Sequence, residues 1–135
     1  MVNFSQLLVK TQYTPWSDHY LNYILLKETL THHNGNHDDD SDGSVSSSTF
    51  RSTTNSNFLN LLYIETEKVS FFVLQQMGSI TFELGTCRQQ LLLLIQSSSG
   101  NNYDASLIDE VESNYVEIGK HLLRLIQFVD LNVTG

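Results

Sequence analysis

The sequence is poor in the residues and runs that mark secreted or membrane-spanning chains. Cys87 is its single cysteine, which excludes a disulfide within the chain and is consistent with a reducing compartment. The longest run of aliphatic residues, 91–95, has five members, whereas a membrane-spanning helix needs about 20. Residues 1–9 have neither a basic start nor a small-residue cleavage site, so no signal peptide is predicted. We expect a cytoplasmic protein without a membrane span.

Basic residues and catalytic motifs are also scarce. Seven Lys and Arg stand against fifteen Asp and Glu, which gives a formal net charge of −8. Such a charge repels nucleic acid and anionic membrane surfaces, so neither is predicted as a partner. No phosphate-binding glycine loop, hydrolase motif or helical metal motif is present, and Cys87 falls at an apolar helical position that favours a core thiol over a nucleophile. The chain is therefore predicted to be no enzyme and to hold neither a cofactor nor a metal ion.

Two heptad patterns dominate the second half of the chain. Each alternates apolar spacings of three and four residues, one within residues 58–96 and the other after residue 104. The first seam is Val73, Met77, Ile80, Leu84, Cys87, Leu91 and Leu94, and the second is Ile108, Val111, Tyr115, Ile118, Leu122, Leu125 and Val129. Between them, residues 97–102 break the pattern, and Asp104 or Ser106 can cap the next helix. Two long antiparallel helices packed along these seams are expected.

A polar segment precedes the first long helix. Residues 32–57 are almost wholly His, Asn, Asp, Gly, Ser and Thr. Such a segment cannot bury enough apolar area to offset the entropy lost on ordering. We predict a disordered linker at 32–57 inside a single domain of residues 1–135.

The N-terminal third carries the most unusual pattern. Residues 1–10 are amphipathic and predict a short first helix, and a second helix is expected at about 17–31, capped by Ser17. Trp16, just before this helix, and Tyr20, Tyr23 and Lys27 within it follow at spacings of four, three and four, on one helical face. The pattern alone favours a small aromatic core with Lys27 at its exposed edge.

Three stretches together resemble an SPX domain, the N-terminal helical module of eukaryotic phosphate-homeostasis proteins. They are Phe4, Leu8, Pro15-Trp16, Tyr20, Asn22-Tyr23 and Leu26-Lys27; the acidic-x-acidic-Lys-Val segment at 65–72; and the Leu-Asn-x-Thr-Gly turn at 131–135. The resemblance implies an all-α fold in which a short N-terminal helix pair packs on two long antiparallel helices. It also implies that Tyr23 and Lys27 contact an inositol polyphosphate or pyrophosphate, through which phosphate status is sensed.

This chain departs from the family's ligand site at several positions. Thr31 stands where a second lysine follows Lys27 by one turn, and Asn3 replaces the lysine before the first phenylalanine. The lysine-rich helix expected after the Thr134-Gly135 turn lies beyond the sequence. Because each exposed ion pair contributes only about 0–1 kcal/mol, we expect weak binding by these 135 residues.

The resemblance leaves the larger role open. SPX modules precede phosphate transporters, polyphosphate polymerase subunits and ubiquitin ligases, or stand alone as regulators, and the first two imply the cytosolic face of a membrane. The alternative interpretation is a coiled-coil interaction module with a decayed ligand site, whose helix seams bind a protein partner. Surplus apolar residues at 91–95 and at Phe128 and Val129 also predict self-association as a homodimer.

Overall fold

The computed structural model describes residues 4–31, 47–97, 100 and 104–134, and every regular element in these ranges is a helix. The elements are α1 (Phe4–Thr11), a 3-10 helix (Thr14–His19), α2 (Tyr23–Thr31), α3 (Ser47–Ser97) and α4 (Ala105–Thr134). The all-α prediction is confirmed. Backbone contacts divide the chain into a first unit that ends at Ser70 and a second unit, Phe71–Thr134.

The second predicted helix begins later than expected. Trp16 lies in the 3-10 helix, Tyr20 is extended at φ −67° and ψ 153°, and α2 starts only at Tyr23. The Tyr20 hydroxyl accepts the Tyr13 N–H at 2.9 Å, a contact that turns this side chain back over the 3-10 helix. The prediction of one helical face shared by Trp16, Tyr20, Tyr23 and Lys27 is wrong, because only the last two belong to α2.

The cap of α2 is Asn22 rather than Ser17. The Asn22 Oδ1 atom accepts the Leu25 N–H at 3.1 Å, and the Asn22 carbonyl accepts the Leu26 N–H at 3.1 Å. These bonds satisfy two of the N–H groups that a helix start leaves open. Ser17 lies inside the 3-10 helix, so the predicted cap is corrected to a residue five positions later.

Helix α3 begins inside the predicted linker. Residues 47–57 are helical, while 32–46 lie outside the described residues. Adding a residue to an existing helix costs far less than nucleating a new one, so a long apolar helix can extend into polar sequence. Helix α3 therefore occupies the last eleven residues, 47–57, of the predicted linker.

The second unit is an antiparallel pair made by α4 and the C-terminal half of α3. Near one end the Phe72 and Phe128 rings lie 5.0 Å apart, and towards the other Asn114 Nδ2 donates to Gln90 Oε1 at 3.4 Å. Residue numbers rise along α3 as they fall along α4, which confirms the predicted antiparallel arrangement. Helix α4 starts where the sequence predicted, because Asp104 caps it: Asp104 Oδ1 accepts the Ser106 N–H at 3.1 Å.

Only part of each predicted seam forms the contact between α3 and α4. The buried apolar residues of the second unit are Phe72, Ile80, Cys87, Val111, Ile118, Leu125 and Phe128. The buried residues mark the line of contact between the two helices. Seven other seam members lie beside this line and are 36–52% exposed: Met77, Leu84, Leu91, Ile108, Tyr115, Leu122 and Val129. We call this second set the apolar face. The prediction that both seams lie wholly in the contact is wrong at these seven positions. Phe128, predicted to be a surplus apolar residue, is instead completely buried.

Polar side chains take the contact positions that the seams were expected to fill. His121 Nε2 lies 2.8 Å from Gln76 Oε1, and His121 Nδ1 lies 3.6 Å from Glu83 Oε1. These polar groups meet between the two helices, so each helix is rotated and part of its apolar seam lies outside the contact. Cys87 is 3% exposed, which confirms the predicted core thiol.

The C-terminal end of α4 differs from the predicted turn at 131–135. The helix continues to Thr134, and Asn132 Nδ2 donates to the Phe128 carbonyl at 2.7 Å. An asparagine bonded back to the preceding turn is compatible with helix, so residues 131–134 are helical and do not form the predicted turn. No helix in the described part of the chain has the length and hydropathy of a bilayer span.

Candidate functional site

Tyr23 and Lys27, the two ligand residues implied by the resemblance, lie one turn apart on α2. The Tyr23 ring packs edge-on against Phe4 of α1, with ring centroids 5.1 Å apart and planes at 73°. Leu26 is buried at 6% exposure and fixes the rotation of α2, which leaves the Lys27 side chain exposed. A phenol and an ammonium group at this spacing are neighbours on the helix surface and can both donate to one anion.

The next turn of α2 has no cation. Thr31 ends the helix, and its hydroxyl donates to the Glu28 carbonyl at 3.2 Å. The position at which the family carries a further lysine is thus neutral here and bonded internally. Asn3, the other departure from the family's set, lies outside the described residues. On α2 the structure brings together one cation and one phenol.

Glu65 of α3 is a residue to which sequence reasoning gave no role. It is 8% exposed, and one of its oxygens, Oε2, accepts both the Asn22 N–H at 2.7 Å and the Lys68 ammonium at 2.6 Å. The contact links α3 to the residue that caps α2. The sequence signals were its place in the acidic-x-acidic-Lys-Val segment and the spacing of three between Glu65 and Lys68, which is common on exposed helices.

The pKa of Glu65 results from opposing effects. Burial raises the pKa of this carboxyl, but the hydrogen bond from Lys68, the one from the Asn22 N–H and the charge of Lys68 together outweigh burial. The net result is a pKa below the ordinary value for glutamate. Glu65 is therefore ionised at neutral pH, as its two donors require.

A cavity of about 310 Å³ opens beside these groups in the first unit. Its lining includes Tyr23, Asn22 and Lys68 together with Ser17 and Asp18. One carboxylate and one ammonium already paired with Glu65 give the cavity little net positive charge. The charges of its lining therefore do not favour a polyanion. In the described ranges no three His, Cys, Asp or Glu side chains converge as metal ligands.

Curated proteins match the chain along its whole length. An SPX domain-containing membrane protein of Oryza sativa subsp. japonica is 29% identical over 140 residues, which are 100% of this chain and 18% of that protein. Another, from Oryza sativa subsp. indica, is 31% identical over 140 residues, which are 100% of this chain and 17% of that protein. A third, from Arabidopsis thaliana, is 27% identical over 135 residues, which are 100% of this chain and 18% of that protein.

The chain thus spans less than a fifth of the length of these curated relatives. No protein-family model matches it, and no solved structure matches it significantly. The relatives nevertheless cover every part of the sequence, including the three stretches at 4–27, 65–72 and 131–135. Proteins named for the SPX domain match the chain from end to end, and every regular element that the structure describes is a helix. The chain is therefore an SPX-domain protein.

Proposed function

We propose that the chain is a phosphate-status sensing module that takes part in phosphate homeostasis by binding inositol polyphosphates or pyrophosphates. The observation that supports this proposal is the pairing of Tyr23 and Lys27 on α2, with the ring held by Phe4 and the ammonium group exposed. Its output would be the regulation of phosphate transport, polyphosphate synthesis or phosphate signalling. The relatives are named membrane proteins, which supports a location at the cytosolic face of a membrane. The proposed role is binding and includes no catalytic step.

Affinity in these 135 residues is expected to be low. A highly charged anion in water is held by several cations, because each exposed contact contributes only about 0–1 kcal/mol. α2 supplies one ammonium group, Thr31 supplies none, and the formal net charge is −8. At physiological salt we expect calorimetry to show no saturable binding of inositol hexakisphosphate.

At low salt the same probe should bind weakly, and Lys27→Ala should abolish the binding. The Debye length grows to about 30 Å at 0.01 M ionic strength, which strengthens both the attraction by Lys27 and the repulsion by the net charge of −8, so the binding expected there is still weak. Amide chemical shifts in ¹H–¹⁵N spectra should move first at Tyr23 and Lys27. Lys120→Ala is the matched control, because Lys120 is exposed and paired with Glu117 at 2.8 Å on α4. Shifts that spare α2, or that persist unchanged in Lys27→Ala, would contradict the proposal.

The apolar face supports a second candidate function, that of a protein-interaction module. Its seven side chains are each 36–52% exposed, and the α3–α4 pair offers them no partner helix on that side. A cavity of about 370 Å³ lined by Leu91, Ile95, Ile108 and Tyr115 lies at one end of this face. Exposed apolar surface of this kind is typical of interfaces. In this role the face binds a helical partner, which can be a second copy of the chain.

The 135-residue chain is accordingly expected to self-associate at high micromolar concentration. Leu84→Glu combined with Leu122→Glu should restore a monomer, because both residues are 46% exposed at the centre of the apolar face. Light scattering measures the mass directly. Val116→Glu is the control, since Val116 is 52% exposed but outside that face. A strict monomer for the unmodified chain would rule out a second copy as the partner of this face.

A further inference from the structure

Glu65 is the one buried charged residue among those that the structure describes, and its contacts lead to the start of α2. Its Oε2 atom accepts the backbone N–H of Asn22, 43 positions earlier in the chain, at 2.7 Å. An N–H at a helix cap has no partner within its own helix, so this bond satisfies a donor that would otherwise need water. A carboxylate also suits the positive end of a helix.

Asn22 passes this constraint to α2. Its side chain accepts the Leu25 N–H and its carbonyl accepts the Leu26 N–H, both at 3.1 Å. Tyr23 follows Asn22 directly, and Lys27 lies one turn further along. The residue fixed by Glu65 on one side thus fixes, on the other side, the first turn of the helix that carries both proposed ligand residues.

Lys68 makes this arrangement electrostatically tolerable. Its ammonium lies 2.6 Å from the same Glu65 oxygen and offsets the carboxylate charge. Without Lys68, a buried acid would stand beside a site proposed to hold phosphate groups. The pair therefore keeps an acceptor for Asn22 while adding little net negative charge.

We propose that Glu65 is a positioning residue for the anion site: through Asn22 it sets where α2 begins and hence where Tyr23 and Lys27 stand. Glu65 does not contact the ligand itself. The inference rests on the proposed function for its ligand, but its structural part can be measured without one.

The first test follows the start of α2 by NMR in the full chain without ligand. Glu65→Ala should raise the amide exchange rates of Leu25 and Leu26 by about tenfold or more, because the cap loses its anchor. Glu65→Gln keeps an oxygen that can accept the Asn22 N–H and should restore slow exchange in part. The exchange of Leu125 should change in neither variant, which shows that the second unit remains folded.

A pH titration separates this specific contact from general support of the fold. The Glu65 pKa is lowered, so the stabilisation from the charged form of the contact is complete above the ordinary glutamate pKa and is lost as pH falls through the lower folded value. The Asn22 amide resonance should follow that titration and stop responding in Glu65→Gln. Glu67→Gln is the matched control, since Glu67 is exposed and accepts the Tyr63 hydroxyl at 2.6 Å. It should leave the Asn22 titration unchanged.

The second test uses inositol hexakisphosphate at low salt as the probe. Its shifts at Tyr23 and Lys27 should fall at least about threefold in Glu65→Ala and recover in part in Glu65→Gln. Unchanged exchange of Leu25 and Leu26 in Glu65→Ala overturns the positioning role, as does an Asn22 titration that survives Glu65→Gln. If exchange rises but the probe moves neither Tyr23 nor Lys27 in the unmodified chain, the proposed function fails and Glu65 positions a helix that is not an anion site.

Discussion

Leu125→Asp should abolish cooperative folding of the second unit, whereas Leu122→Asp should leave it folded. Both residues belong to the seam predicted on α4, but Leu125 is 3% exposed and Leu122 is 46% exposed. An aspartate at position 125 would bury an unpaired charge and remove apolar contacts at once. Losses from such changes exceed about 4 kcal/mol, a large part of the stability of a small domain. Thermal unfolding followed by circular dichroism measures the difference.

The two leucines are only three positions apart, so each controls for the other in residue type, helix and local propensity. Leu122→Asp should melt within a few degrees of the parent and weaken self-association, because it lies on the apolar face. Equal damage from both variants would mean that α4 does not bury one edge of its seam in preference to the other. The pair of substitutions therefore measures the rotation of α4 about its own axis.

Phe128→Ala should destabilise the second unit by about 3–5 kcal/mol. Phe128 is the one described residue with no exposure at all, and its ring lies 5.0 Å from that of Phe72 at an angle of 58°. Truncation removes the buried ring and leaves a cavity that the two long helices cannot close fully. Chemical denaturation monitored by circular dichroism gives the change in the free energy of unfolding.

Phe82→Ala is the matched control for this loss. Phe82 belongs to α3 and is 77% exposed, so the same change of side chain removes little buried area. Its effect should stay within about 0.5 kcal/mol, which is usual for surface positions. A loss at Phe82 comparable to that at Phe128 would contradict the burial of the Phe72–Phe128 pair.

The helical class and the order of the long helices followed from local signals in the sequence. Heptad spacing on each side of residues 97–102 predicts two helices, and Asp104 is a cap that acts on its own neighbours. The start of α3 at Ser47 could not be predicted in the same way. Polar residues there have no apolar period, and their helix is propagated from the sequence that follows.

The contact line between α3 and α4 could not be predicted from the sequence for a different reason. A seam shows the direction of the apolar stripe, but not which edge of that stripe meets the neighbouring helix. Here Gln76 and Gln90 bond to His121 and Asn114 across the pair, and these polar contacts hold the contact line beside the stripe. Sequence periodicity counts such residues as polar and assigns them to solvent.

In the candidate site, too, local features could be predicted from the sequence and long-range contacts could not. Tyr23 and Lys27 could be named because a resemblance pointed to them, and their spacing on one helix was local. Glu65 could not, because nothing near it in sequence shows that its carboxylate meets a backbone N–H 43 residues away. Trp16 and Tyr20 were misplaced because Tyr20 bonds to the Tyr13 backbone and ends the 3-10 helix early.

The scarce residues of this chain are distributed so that each unit carries its own intrinsic probe. Trp16, the single tryptophan, stacks edge-on against Tyr13 at 5.2 Å in the first unit, and Cys87, the single cysteine, is buried in the second. Tryptophan fluorescence therefore follows the opening of the N-terminal helices, while the rate of thiol alkylation follows the separation of α3 from α4. Both signals come from the unmodified protein in one sample. Coincident transitions identify one cooperative domain, and separate transitions identify two.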